Sequence, residues 1–255
     1  MQTKFTELND SQWEIVKKSL EIQGRKRKYP LRTIFNALLW LTRTGAQWRN
    51  MEGKYPCWQL IYYYFNKWNK TGVLSGLLNE LVVGERKRRQ MESHASTAAI
   101  DSQSVKKVGF ITIETGIDGN KRINGRKRHL AVDKLGLPLA ISVSAADVHG
   151  STGGYDLLWQ IEKNSKRMEL VRADGAYRGE LSKVVEQLYK WKMEITQKPE
   201  PQQGFVPQKG RWQVERSFAW LNFFRRLAKD YEKTTTAAMA FIQLTFLSII
   251  LARIS

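Results

Sequence analysis

Apolar and polar positions change their period about a third of the way along the chain. Up to about residue 83 the spacing is helical. Trp13, Val16 and Leu20 fall on one helix face, with Asn9-Asp10 as a cap and Ser11 and Glu14 at capping-box spacing. GRKRKYP (Gly24–Pro30) reads as a charged linker whose proline suits a first helical turn. LRTIFNALLWLTRTG predicts a second helix stopped by Gly45, and CWQLIYYYFNKWNKTG a third ended by Gly72. Leu74–Val83 adds a fourth. Short helices with tight turns fit a helix-turn-helix module, and equally a plain bundle.

GERKRRQMES (Gly84–Ser93) is a charge run that reads as a domain boundary, a basic linker over 84–95. Beyond it STAAIDSQSV (Ser96–Val105) alternates like a strand. RKRHLAVDKLGLPLAISVSAAD (Arg126–Asp147) predicts two strands joined by a hairpin at Asp133–Gly136. A helix over Gly154–Lys163, a strand over Met168–Tyr177, a helix over Glu180–Trp191 and a short strand over Met193–Lys198 follow. PEPQQGFVPQKG is a loop, and the segment from Arg211 is helical with a break near Asp230. Adjacent strands first, then strands alternating with helices, predict an α/β domain over 96–255: a mixed five-stranded sheet flanked by helices.

Charge narrows the partner. The 255 residues carry 42 Lys and Arg against 24 Asp and Glu, a net charge of +18, with 11% aromatics. A folded chain that basic is expected to meet a polyanion, here nucleic acid. The single cysteine, Cys57, excludes an internal disulfide and reads as a small core residue. The start, MQTKFTELND, lacks a signal-peptide pattern. The apolar run Ala237–Ala252 is broken by Gln243, Thr245 and Ser248, so it predicts a buried or partner-packing helix rather than a span. The expectation is a cytoplasmic protein with no membrane partner.

Three histidines without metal-pair spacing, and no nucleophile elbow, Walker loop or GxGxxG, leave the carboxylates to carry any chemistry. Asp101 lies inside the first strand, where a charge is costly unless paired or metal-bound. Asp174 ends a later strand, and sites gather at the carboxyl ends of neighbouring strands in such sheets. Glu215 opens the last helical segment amid Arg211, Arg216, Arg225 and Arg226. If these elements are neighbours, the three acids converge as an oxygen-only site for Mg²⁺ or Mn²⁺, two ions serving phosphodiester chemistry, with the arginines on DNA phosphates. Each acid also has an ordinary reading: a strand-end residue, a turn aspartate before Gly175, a surface pair of Glu215 with Arg211 or Arg216. Asp147 rivals for the second acid, and Asp133 reads as a turn residue. Around Trp212, Trp220, Phe223 and Arg225, core packing competes with stacking on frayed bases.

AAIDSQSVK, NGRKRHLAVDKLGLPLAISVSAADVH, VRADGAYRG and GFVPQKGRWQVERSFAWLNFFRRLAKDYE resemble the DDE transposases of bacterial insertion sequences, in the compact insertion-sequence-five family. LNDSQWEIV, LWLTRTGAQWRNM and YPCWQLIYYYFNKW resemble that family's helical DNA-binding region, so the likeness spans nearly the whole chain. It implies an RNase H-like catalytic domain with strand order 3-2-1-4-5, the second strand antiparallel, behind an all-helical DNA-binding domain over 1–83. It places the catalytic, metal-holding acids on Asp101, Asp174 and Glu215. Lys127, Arg128 and His129 match the family's KRH segment, a DNA-facing edge, and Arg216 its arginine beside the glutamate. It further implies terminal inverted repeats and target DNA as partners, a homodimer or larger assembly with the last apolar helix as an interface, and a place at the bacterial nucleoid. Two departures stand out: HGSTGGYD where the family often has Asp-Arg-Asp, and Ala176 where it often has glycine. A DNA-binding protein without catalysis, and a nuclease without strand transfer, are the rival readings.

Overall fold

In the computed structural model, residues 5–20, 27–196 and 211–254 are described. The linker over 24–30 therefore falls partly, and the loop over 199–210 wholly, outside the described residues.

Four helices come first: α1 (Asp10–Leu20), α2 (Leu31–Thr44), α3 (Trp58–Lys70) and α4 (Val73–Arg88). The capping box of α1 is not Ser11 with Glu14. Asn9 Oδ1 accepts from the Gln12 amide at 2.8 Å, and Gln12 Oε1 accepts from the Asn9 amide at 3.0 Å. Gly45 stops α2 as expected, in a left-handed conformation (φ 69°) that returns its amide to the Leu41 carbonyl.

The basic run after residue 83 corrects the linker expectation. GERKR continues α4, with Glu85 and Arg86 buried. Their charges are matched within the fold: Glu85 pairs with Arg88, Arg89 and Arg253, and Arg86 with Asp133 at the β-hairpin turn. A charge run reads as solvated only when its partners are out of view, and here Asp133 comes from mid-chain and Arg253 from its far end.

The sheet comprises β1 (Thr97–Lys106), β2 (Gly116–Asp118), β3 (Ile123–Val132), β4 (Pro138–Ala145), β5 (Leu170–Ala173) and β6 (Lys192–Ile195). β1 pairs antiparallel with β3 and parallel with β5; β3 pairs antiparallel with β4, and β5 parallel with β6. The order β4-β3-β1-β5-β6 is the expected RNase H-like path with its second strand reversed. β2, too short to register in the sequence pattern, extends the β4 edge, with Gly116 opposite Gly125.

Helices cover both faces. On one, α5 (Gly150–Asn164) and α6 (Glu180–Gln187) pack on Ala98, Ile100, Ala131 and Ala140. On the other, α7 (Trp212–Leu221) and α8 (Thr235–Leu251) pack on Ala99, Leu130, Val132 and Ile141, and the same apolar core runs on into α1–α4. The helical region and the sheet thus share one core. α8 is buried along nearly its whole length among α2, α3, α4 and β4. That corrects its proposed role as a subunit interface: an all-round apolar helix is a core helix. Among the described residues no helix is long and apolar enough to cross a membrane.

Close approach on the α5 face depends on a missing side chain. A Cβ at Gly153 would lie 2.2 Å from the His129 ring, so the HGSTGG segment lets the helix lie directly on β3.

Candidate active site

β1 and β5 pair only as far as Ala99 and Arg172. Beyond that point the strands part, and the two carboxylates that follow, Asp101 and Asp174, flank the opening. Asp101 shares its sheet face with Ala99 and Leu130, the face covered by α7, and α7 presents Glu215 in its first turn.

The three acids meet around one atom. Arg211 Nη2 lies 3.3 Å from Asp101 Oδ2, 3.8 Å from Glu215 Oε1 and 3.9 Å from Asp174 Oδ2. The remaining oxygens of the two aspartates are fixed by main chain. Asp101 Oδ1 accepts from the Ser102 amide at 2.7 Å, and Asp174 Oδ1 from the Ala176 amide at 2.9 Å, capping a short 3-10 turn. The second contact uses only an amide, which alanine supplies as well as glycine, so the Ala176 departure leaves it intact. Burial pushes the Asp101 carboxyl above its usual range, with the Asp174 charge adding to this. The Ser102 amide and Arg211 pull the other way.

Arg211 thus offsets part of the cluster's charge from inside it. Among the described residues no group of three His, Cys, Asp or Glu is set to hold one ion as it stands. The donors nevertheless suit a hard divalent cation: carboxylate oxygens only, partly buried, already gathered around a positive charge. Asp147, the rival acid, lies elsewhere, against Gly116 on β2. Asp133 is the hairpin residue, accepting from the Leu135 and Leu137 amides.

Most of the cations expected on DNA are otherwise engaged. Arg128 and His129 are 4% and 0% exposed, because β3 is an interior strand with both faces covered. Burial lowers the Arg128 guanidinium to about 10, and burial with the nearby Lys127 charge lowers the His129 imidazole to about 4. Lys127 reaches the Val148 carbonyl at 2.7 Å. Arg226 is 7% exposed and pairs with Glu232. Arg128, His129 and Arg226 thus occupy interior positions rather than a DNA-facing edge, and Lys127 is partly buried. Arg216 lies between the Trp212 and Trp220 rings, 4.3 and 4.8 Å from their centroids, and donates to the Leu135 carbonyl. Arg253 also lies over the Trp220 ring, 5.0 Å from its centroid. Arg225 alone of the seven is exposed. The pairing of Arg211 with Glu215 was legible as an i, i+4 spacing; its reach to both aspartates was not.

The model for the family "Transposase DDE domain" matches residues 92–251, and the model "Putative transposase of IS4/5 family" matches residues 8–78. No curated protein matches the sequence. A solved structure, "Crystal structure of the Mos1 Strand Transfer Complex", is 11% identical over 95% of this chain and 85% of that one; its TM-score of 0.25 is too low to bear on fold or activity. The first match covers more than half of the 255 residues and takes in Asp101, Asp174 and Glu215. The chain belongs to the family of transposases with a DDE domain, of the IS4/IS5 type.

Proposed function

We propose that this transposase cuts DNA at the terminal inverted repeats of its own element and joins the freed 3′-hydroxyls to target DNA, with Asp101, Asp174 and Glu215 as the catalytic carboxylates. The observation that carries the reading is the meeting of three acids, from β1, the tip of β5 and α7, around a single guanidinium nitrogen. Separate elements converge on one charged point at a cost in desolvation, which a purely structural role does not call for.

The same three residues would hold the divalent ions, Mg²⁺ or Mn²⁺, in a pair. When bound, such ions supply Lewis-acid stabilisation of charge on the attacking and leaving oxygens of an in-line displacement. The chain's own part is positional. The Ser102 and Ala176 amides hold the two aspartates with one oxygen each turned to the centre. Glu215 approaches from the opposite wall on α7. Arg211, released from the acids, carries its charge to a DNA phosphate beside them. The net charge of +18 draws DNA to the site from a distance. Two ends cut together need at least two copies of the chain, and the substrate places the protein at the nucleoid.

The test is a supercoiled plasmid carrying the element's ends, incubated with protein and Mg²⁺ or Mn²⁺. The parent should nick and join; Asp101→Asn and Glu215→Gln should do neither while still retaining end DNA. Cutting without joined products would leave a nuclease. Variants as active as the parent would remove the three acids from the mechanism. Light scattering with and without end DNA reports the number of copies.

A further inference from the structure

Among the N-terminal helices, α3 alone turns to solvent a face with no carboxylate. Its sequence, WQLIYYYFNKWNK, contains no Asp or Glu. Ile61, Phe65 and Trp68 are buried against the fold. The opposite side presents Gln59, Tyr62, Tyr63, Asn66, Lys67 and Lys70, spaced at helical intervals. Tyr62 and Tyr63 are 40% and 57% exposed, large aromatics that core packing does not explain. Tyr62 is nonetheless rigid, held edge-on by Trp48 at 5.1 Å and stacked on Phe65. Gln59 and Asn66 make no hydrogen bond, and Lys67 and Lys70 no ion pair, among the described residues. The other helices differ. α1 turns Asp10 and Glu14 outward, α2 is largely buried, and α4 carries Glu80 and packs on α8.

We infer that α3 is the element that reads the bases of the terminal repeats, lying in the major groove of duplex DNA; this rests on the transposase function proposed above. The match is one of charge and chemistry. Thirteen residues make a rod about 20 Å long, and the B-DNA major groove, about 12 Å wide, admits one helix. Gln59 and Asn66 carry the amides that pair with the N6 and N7 of adenine, and the tyrosine rings offer apolar contact to thymine methyls. Lys67 and Lys70 at one end, and exposed Arg49 beside Trp58 at the other, stand where the flanking phosphates would run. α3 packs against α8, which lies on the same side of the sheet as Asp101 and Glu215.

Fluorescence anisotropy of the full chain on duplexes of the element's own ends and of unrelated sequence tests this, across a salt series. The Gln59→Ala/Asn66→Ala double variant should lose about tenfold or more on end DNA and less than twofold on unrelated DNA. Lys67→Ala and Lys70→Ala should weaken both duplexes alike, each reducing the slope of log K against log salt by about 0.9. Ser11→Ala on α1 and Glu80→Ala on α4 should change neither. A double variant that still prefers end DNA as the parent does overturns the α3 assignment and leaves the transposase reading standing. A parent with no preference for its ends overturns both.

Discussion

Arg211 and Asp101 stand 3.3 Å apart, guanidinium against a carboxylate in the middle of the sheet. The contact occupies the point on which the acids converge. A divalent ion entering there must displace it.

Replacing Arg211 with glutamine should therefore tighten Mn²⁺ binding by the DNA-free protein. One partly exposed ion pair is worth up to about 1 kcal/mol, or roughly fivefold in affinity. Isothermal titration with Mn²⁺ reads this directly. The same variant should bind DNA less well if, as proposed, the displaced charge is the one offered to phosphate. Weaker Mn²⁺ binding in the variant would mean that Arg211 assembles the acids rather than guards them.

Arg126 is wholly buried, and its guanidinium is satisfied by Asp230 and by the carbonyls of Ile113, Glu114, Glu232 and Lys233. It ties β3 to the segment leading into α8. Arg126→Met leaves Asp230 buried without its partner and should cost about 3–5 kcal/mol in urea unfolding. The salt dependence of DNA binding, measured at a temperature where the variant is folded, should not change. A change would place this charge on the DNA.

Gly153→Ala drives a methyl group into the His129 ring. The predicted loss is about 1–3 kcal/mol of stability, as for other overpacked interiors. Adding His129→Ala removes the obstacle and should restore part of it. If the double variant is merely the sum of the two single losses, the two positions do not share this contact.

His129 also sets a pH dependence. Its folded value, about 4, lies below the ordinary 6.5, so the unfolded chain binds more protons between those limits. Stability is full above pH 6.5 and falls as pH drops toward 4, by up to about 3 kcal/mol from this group. Melting temperatures from pH 7 to pH 4.5 should slope downward in the parent and be flatter in His129→Gln.

The succession of strands and helices and the mixed sheet followed from the period of apolar residues, because that signal is local; the strand order came from the family resemblance, which also singled out Asp101, Asp174 and Glu215 among the candidate acids. What escaped the sequence was long-range pairing. GERKRR reads as solvated until Arg253 and Asp133 are brought beside it. Lys127, Arg128 and His129 look like a basic edge until β4 pairs with β3, which leaves Arg128 and His129 buried and Lys127 partly covered. Charge counted along a chain says how much is present; only topology says which side chains keep it at the surface. α3 was hidden for a related reason. Its spacing predicts a helix without telling a recognition helix from a packing one, and the bareness of its far side is visible only once its neighbours are in place.

Because α4 runs unbroken toward the sheet and one apolar core continues beneath it, α3 and the acid site are parts of one stiff frame. If α3 reads the repeats as proposed, the interval from recognised bases to cut phosphate is a dimension of the protein, like the gap of a caliper. Moving the repeat along the duplex by half a helical turn would turn the scissile bond away from Asp101, and adaptation would have to come from bending the DNA.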